Sequence, residues 1–354
     1  MANMVTAEQM PYETVGGMCF DNGDYPESVR RVASLVDYQG IRARQGAAQP
    51  DGRLLGVGLA SYSEQTAHGS AEWTRRGSPI IPGFESVSAR LNPDGTLVLL
   101  VGIHSHGQGL ETTLAQVAYE ELGIHPNDIN VRFGDTGVSP FGFGTFASRS
   151  MVMSGGAVSN VCINLREKLA LIAAHQLQCD VEQVRFADGE ARGASGSISI
   201  AEICRIAHLR QDGLPDSVDP ILDATETYEP SESTGVFSYA THAAVVLVDP
   251  QSGAIELIDY AVVEDCGNMV NPMIVDGQIT GGVAQGIGTA IYEESIYDEN
   301  GQPLATTFAD YLLPGATEIP DIKIGHMVTP AVYTRFGIKG MGEGGALAPP
   351  AAIG

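Results

Sequence analysis

Two stretches of the chain repeat one order of signals, and this repeat limits the possible folds more than any other feature. Residues 87–91, the turn Asn92-Pro93-Asp94-Gly95 and residues 96–101 read as strand–turn–strand. Residues 243–248, then Asp249-Pro250-Gln251-Ser252-Gly253, then residues 254–263 read the same way. Proline and glycine stand where tight turns need a fixed or a positive φ. Each hairpin leads toward a Gly/Gln-rich stretch and a helical pattern: GQGLETTLAQVAYEELG at 107–123 and GQITGGVAQGIGTAIYEE at 277–294. The fold class expected is therefore α+β, with two related mixed α/β units in which hairpins and helices pack on sheets.

At 354 residues the chain is long enough for two cores. Its polar opening, residues 1–50, reads as a connector; 51–215 reads as the first unit and 216–354 as the second. The join falls in the Asp-, Pro-, Gly- and Ser-rich stretch 210–235. A helix is expected over 26–45, with Val29, Val32, Ala33 and Val36 on one face, followed by a strand at 54–63. Leu110, Leu114, Val117, Ala118 and Leu122 share a face of a second helix that Gly123 should stop. A third is expected over 155–177, with Ala157, Val161, Leu165, Leu169 and Ile172 inward, and Ser199 with Glu202 should open a fourth.

Composition narrows the function. A formal charge of −24 repels phosphate backbones and anionic lipid, which argues against nucleic-acid and membrane partners. Cys19, Cys162, Cys179, Cys204 and Cys266 are scattered, without the CxxC spacing of a zinc or iron–sulfur site. An odd, dispersed set fits a reducing compartment, and residues 1–20 show no signal-peptide pattern, so a soluble cytoplasmic protein is expected.

Four segments could carry chemistry. Gly107-Gln108-Gly109 lies at a strand-to-helix turn, where backbone N–H groups can approach an anion; taken alone, the triplet favours an ordinary glycine turn. Thr145, Ala147, Ser148, Arg149 and Ser150 put hydroxyls and a guanidinium among small residues, either a phosphate cradle or a helix cap beside a surface arginine. The helix at 277–294 carries Gly281, Gly282, Gly286 and Gly288. Each costs roughly 0.5–1 kcal/mol relative to alanine, which a close helix–helix contact or a flat ligand would offset. Gln278 and Gln285 are polar groups on that same element. Finally, Glu343 sits between Gly342 and Gly344 with uncharged flanks, a setting that can press a carboxylate against a cofactor; by spacing alone a solvated carboxylate is the better reading. His104 and His106 lack the carboxylate or histidine partners of a metal site, so no metal ligand is assigned.

The order of these segments is more specific than any one of them. HSHGQGLETTLAQVAYEELGI, DTGVSPFGFGTFASRSM, NPMIVDGQITGGVAQGIGTAIYEE, FADYLLPGATEIPDI and GIKGMGEGGALAPPAA, in that order, resemble the C-terminal half of a known subunit. It is the molybdopterin-binding large subunit of the xanthine dehydrogenase/aldehyde oxidase/carbon monoxide dehydrogenase family. The resemblance spans essentially the whole chain, including PYETVGGMCFDNGDY near its start. It implies a molybdenum-molybdopterin cofactor, as the cytosine dinucleotide. The implied cofactor residues are Gly107, Gln108, Gly109, Thr145, Ala147, Ser148, Arg149, Ser150, Gln278 and Gly342. Glu343 is implied as the catalytic base of a hydroxylation that places water-derived oxygen on a C–H centre or on CO.

The same resemblance implies that electrons leave through iron–sulfur clusters and FAD on partner subunits. It places part of the cofactor site and a substrate loop upstream of Met1, in an N-terminal half that residues 1–50 would connect to. The chain stops at Gly354, soon after Glu343, while Pro349-Pro350 opens another helix. Either a natural division between two polypeptides or truncation would produce this, and the abrupt end favours truncation of the second unit. The isolated chain is accordingly expected to be inactive. A catalytically idle scaffold or assembly module is the alternative, which the GMGEGG context of Glu343 opposes. A nucleotide-binding protein ranks last, because no GxxxxGK[ST] loop is present.

Overall fold

The computed structural model describes residues 1–46, 49–231 and 235–354. In chain order, short strands β1 (Tyr12–Glu13) and β2 (Cys19–Phe20) precede helices α1 (Tyr25–Leu35) and α2 (Tyr38–Arg44). Strand β3 (Leu54–Thr66), helix α3 (Ser70–Arg75), strands β4 (Glu85–Leu91) and β5 (Leu97–Val101), helix α4 (Leu110–Leu122) and strand β6 (Ile129–Arg132) follow. Next come the long helix α5 (Ser150–Leu177), strands β7 (Arg185–Ala187), β8 (Glu190–Gly193) and β9 (Gly196–Ser199), and helix α6 (Ile200–Leu209). The last third holds β10 (Asp223–Tyr228), β11 (Val236–Val248), β12 (Ile255–Asp265), α7 (Pro272–Ile287), β13 (Ile322–Met327), α8 (Gly344–Leu347) and α9 (Pro349–Ile353).

These elements form two compact units, one of Met1–Thr66, Val236–Val332 and Phe336–Gly354, the other of Ala67–Gly235 with Tyr333–Arg335. Their boundaries differ from those expected at 50/51 and 215/216. All of β3 pairs antiparallel with β11, Leu54 opposite Val248 through to Thr66 opposite Val236, so the strand after the connector joins the later part of the chain. Residues 1–50 are not a bare connector either, because Tyr25, Val32, Val36 and Ile41 pack on Tyr239, Ala243 and Val245 of β11. Conversely β10, beyond residue 215, pairs with β4 in the other unit.

The repeat read from sequence has a topological counterpart. One sheet runs β10-β4-β5-β6 and another β3-β11-β12-β13. In each, the first strand of an antiparallel hairpin pairs with a further antiparallel strand and the second, after a helix, with a parallel one, so that both added strands are edges. A parallel return needs a crossover connection, which α4 and α7 supply.

Local sequence explains the helices. Asn271 accepts from Ile274 N at 3.2 Å and Pro272 opens α7. Its Val275, Ile279, Val283 and Ile287, at i, i+4 spacing, bury against Ala244, Val246, Tyr260 and Val262. Such burial contributes roughly 1.5–3 kcal/mol per large apolar side chain. Helix α4 ends as expected at Gly123, whose φ of 71° is left-handed. Helix α5 begins at Ser150, earlier than the 155 expected. The single helix expected over 26–45 is two, because Asp37 turns left-handed (φ 51°) and caps the second by accepting from Gly40 N at 3.2 Å.

Candidate functional site

In the unit containing Ala67–Gly235, two loops converge on the backbone of His104. Gln108 folds back on the turn after β5: its Oε1 accepts from His106 N at 2.7 Å and its Nε2 donates to His104 O at 3.3 Å. From the second loop, Thr145 Oγ1 donates to the same carbonyl at 2.6 Å and accepts from His104 N at 3.2 Å. Ser150 Oγ then donates to Thr145 Oγ1 at 2.9 Å. The loops touch lower down as well, since a Cβ added to Gly102 would lie 2.7 Å from Gly142 Cα. Gln108, Thr145 and Ser150, separated in sequence, are thus brought together.

Backbone geometry at this convergence is unusual. Gly107 (φ 102°), Gly109 (φ 74°) and Gly144 (φ 98°) are left-handed, and so are the non-glycine residues Ala147 (φ 48°) and Ser148 (φ 49°). Two consecutive left-handed side-chain-bearing residues cost roughly 1–2 kcal/mol each. Strain of this kind persists where surrounding contacts enforce it, and it concentrates at ligand clamps. At Gly107 and Gly144 an added Cβ would meet nothing within 4 Å, so these backbones face open space.

Arg149 departs from its expected part in a phosphate cradle. Only 1% exposed, it turns inward: Nη1 pairs with Glu85 Oε1 and donates to Gly144 O at 2.9 Å, and Nη2 donates to Phe84 O at 3.1 Å. Its guanidinium also lies over the Phe146 ring, 5.0 Å from the centroid. Glu85 Oε1 accepts from Phe143 N at 3.0 Å and Gly144 N at 3.2 Å. Arg149 therefore shapes the loop around a buried carboxylate. Glu85 was not singled out in the sequence, where it is one acid at the start of a strand.

The other unit carries Glu343 on the turn leading to α8. Buried Lys339 anchors this turn, its Nζ 3.0 Å from Asp265 Oδ1 and 3.0 Å from Thr329 Oγ1. Asp265 also accepts from Gly267 N at 3.0 Å, Thr329 N at 2.7 Å and Thr329 Oγ1 at 2.8 Å. Two backbone N–H groups fix the chain just before Glu343, Lys339 N donating to Cys266 O at 2.8 Å and Gly340 N to the Thr66 hydroxyl Oγ1 at 3.1 Å. Just after it, Gly345 seats on α7, where a Cβ on Gly282 would lie 2.8 Å from Gly345 Cα.

The glycines of α7 thus divide in two. Gly282 and Gly286 allow close helix packing, the latter against Pro349 and Ala346 O; Gly277 and Gly281 have nothing within 4 Å of an added Cβ. Gln278, one turn before Gly282, is half-buried, whereas Gly342 and Glu343 are exposed. The uncharged flanks of Glu343 therefore do not enclose its carboxylate within this unit. Asp265 was overlooked in the sequence, although a lone lysine in an otherwise nearly uncharged glycine-rich run signals a buried acidic partner. Among the described residues no cluster of three or more His, Cys, Asp or Glu could hold a metal ion, and no helix is long and apolar enough to cross a membrane.

A family model described as molybdopterin cofactor-binding domain matches residues 31–320. The nicotine 6-hydroxylase large subunit of Paenarthrobacter nicotinovorans is 33% identical over 348 residues, 98% of this chain and 42% of that one. The carbon monoxide dehydrogenase large chain of Hydrogenophaga pseudoflava is 32% identical over 96% of this chain and 42% of its own length. Among solved structures, quinoline 2-oxidoreductase from Pseudomonas putida 86 aligns with a TM-score of 0.91 at 36% identity, covering 99% of this chain and 44% of that one. The chain spans less than half the length of each of these relatives.

Proposed function

The chain belongs to the molybdopterin cofactor-binding domain family, and from that premise we propose that it forms the later part of the large subunit of a molybdenum hydroxylase. The observation that carries this reading is the convergence on His104. Strained and glycine backbone, the Gln108 side chain and the Thr145 and Ser150 hydroxyls meet there, while Gly107 and Gly144 leave the approach open. Such a set suits a polyanionic, heteroatom-rich ligand, because backbone N–H groups and hydroxyls donate to phosphate while an amide matches a heterocycle edge. The residues present therefore fit a molybdenum-molybdopterin cofactor, which we propose is the cytosine dinucleotide.

Gly107, Gln108, Gly109, Thr145, Ala147, Ser148 and Ser150 would hold it, with Arg149 setting the shape of their loop from beneath, and Gln278 and Gly342 are further proposed cofactor contacts. When bound, the molybdenum centre supplies the two-electron oxidation that the protein itself cannot perform. Glu343 would act as general base, accepting a proton as water-derived oxygen reaches the substrate carbon. Its exposed position, on a turn fixed by Lys339 before it and Gly345 after it, suits a group that must meet substrate. The printed names of the relatives point to nicotine, carbon monoxide and quinoline, so the reading commits to the reaction and to a small-molecule substrate. The remainder of the large subunit and iron–sulfur and flavin subunits would complete the electron path. An idle scaffold finds no support among these relatives, whose names are those of hydroxylases and oxidoreductases.

Metal analysis of this chain purified with the rest of its complex tests the cofactor. Near-stoichiometric molybdenum is expected, and its absence from a folded complex made in a cofactor-supplying host would end the reading. Glu343→Gln should keep the molybdenum and lower kcat by ~10²–10⁴-fold, the usual contribution of a positioned base. Turnover near the wild-type level with molybdenum retained would remove Glu343 from its role.

A further inference from the structure

Beneath the Glu343 turn lies a set of polar side chains that the proposed reaction does not use. Three strands place Tyr62 opposite Ala240 and Ala240 opposite Glu264, so the phenol and the carboxyl flank one small residue on the same sheet face. Glu264 is 1% exposed, and neither of its carboxyl oxygens nor the Tyr62 hydroxyl has a hydrogen-bond partner among the described residues. Both groups press on the turn. A Cβ added to Gly344 would lie 2.5 Å from Tyr62 OH and 2.7 Å from Glu264 Oε1. The residue directly after Glu343 must therefore be glycine, because the carboxyl and the phenol fill the space of its side chain.

Among the described residues no cation compensates Glu264. Lys339 is engaged by Asp265, and His326, opposite Glu264 on β13, is bonded to Asp276. Glu64 and Cys266 on the same face, Asp265 on the same strand and Glu343 on the turn are acidic or neutral, and buried His242 is held neutral by its burial. A fully buried carboxylate without a partner is strongly disfavoured. Burial, then Glu64 and Asp265, push the Glu264 carboxyl well above the usual carboxylate range. Burial and the neighbouring acids thus both favour the neutral form.

Resting on the functional reading above, we propose that Glu264, with Tyr62, is a positioning residue for Glu343, acting through its contact with Gly344. Lys339 and Gly340 pin the chain before Glu343 and Gly345 pins it after, and between them Gly344 rests directly on the Glu264 carboxyl and the Tyr62 phenol. A misplacement of about 1 Å at a reacting group can cost ~10²-fold in rate. A neutral acid keeps the turn seated, whereas an ionised one would draw water under it.

The test compares Glu264→Gln with Glu264→Ala in the complete, molybdenum-loaded complex. Glu264→Gln keeps size and neutrality and should retain most of kcat. Glu264→Ala should lose roughly 10–100-fold in kcat with KM and molybdenum content unchanged. A second readout is independent of turnover: infrared spectra should show a buried protonated carboxyl band that Glu264→Gln removes. Full turnover in Glu264→Ala, or equal losses in both variants, would overturn the positioning role; a missing band would overturn the neutral acid. Absence of molybdenum from the wild-type complex would instead sink the functional reading, and with it the role given to Glu264.

Discussion

Two buried ion pairs, Arg149–Glu85 in one unit and Lys339–Asp265 in the other, each hold a glycine-rich loop in place, but they are satisfied to different degrees. Every oxygen of Asp265 has a donor, and Lys339 adds a contact over the Tyr239 ring, 5.4 Å from its centroid. In the other pair Glu85 Oε2 and Arg149 Nε have no hydrogen-bond partner among the described residues. Gly102 and Gly142 crowd that carboxyl so closely that an added Cβ would lie 2.9 Å and 2.3 Å from Oε2. Buried pairs stabilise only when their remaining lone pairs and protons are met, and removing one partner is the costly change. The Lys339 pair is thus a finished anchor, whereas the Arg149 pair holds its loop with less margin, beside backbone that is itself strained.

The largest expected effect tests that difference directly. Arg149→Met leaves Glu85 buried with only the Phe143 and Gly144 N–H groups, and should destabilise its unit by ~3–5 kcal/mol. Denaturant unfolding measures the loss, and hydrogen exchange should place the local loosening at 143–149. Lys339→Met should cost less, about 3 kcal/mol, because Asp265 keeps its bonds from Gly267 and Thr329. If Lys339→Met proved the more damaging, the contrast between the pairs would be broken.

A smaller effect separates the glycines of α7. Gly282→Val drives a side chain into Gly345 and should cost ~1–3 kcal/mol while displacing the Glu343 turn. Gly281→Ala, on the same helix with nothing within 4 Å, should instead stabilise by roughly 0.5–1 kcal/mol. Thermal unfolding of the two variants in parallel checks both signs.

What could be read from sequence was whatever short-range chemistry determines. The i, i+4 apolar stripe of α4 and its Gly123 stop, the turns at Asn92–Gly95 and Asp249–Gly253, and the Gly-rich contact face of α7 all depend on residues a few positions apart. The order of the motifs was enough to identify the family, and it singled out Gln108, Thr145, Ser150 and Glu343 as candidates. The sequence did not show which way Arg149 points. An arginine among hydroxyls looks the same whether it faces a phosphate or a carboxylate 64 positions away.

Strand partnership was equally hidden. β3 joins β11 across some 170 residues because its alternating face completes a sheet whose core comes from α1 and α7, and no local pattern encodes that choice. Glu264, Asp265 and Tyr62 gained their significance only when three strands put them under one turn. Burial and the absence or presence of a partner decide what an ionisable group can do, and both are properties of the folded neighbourhood.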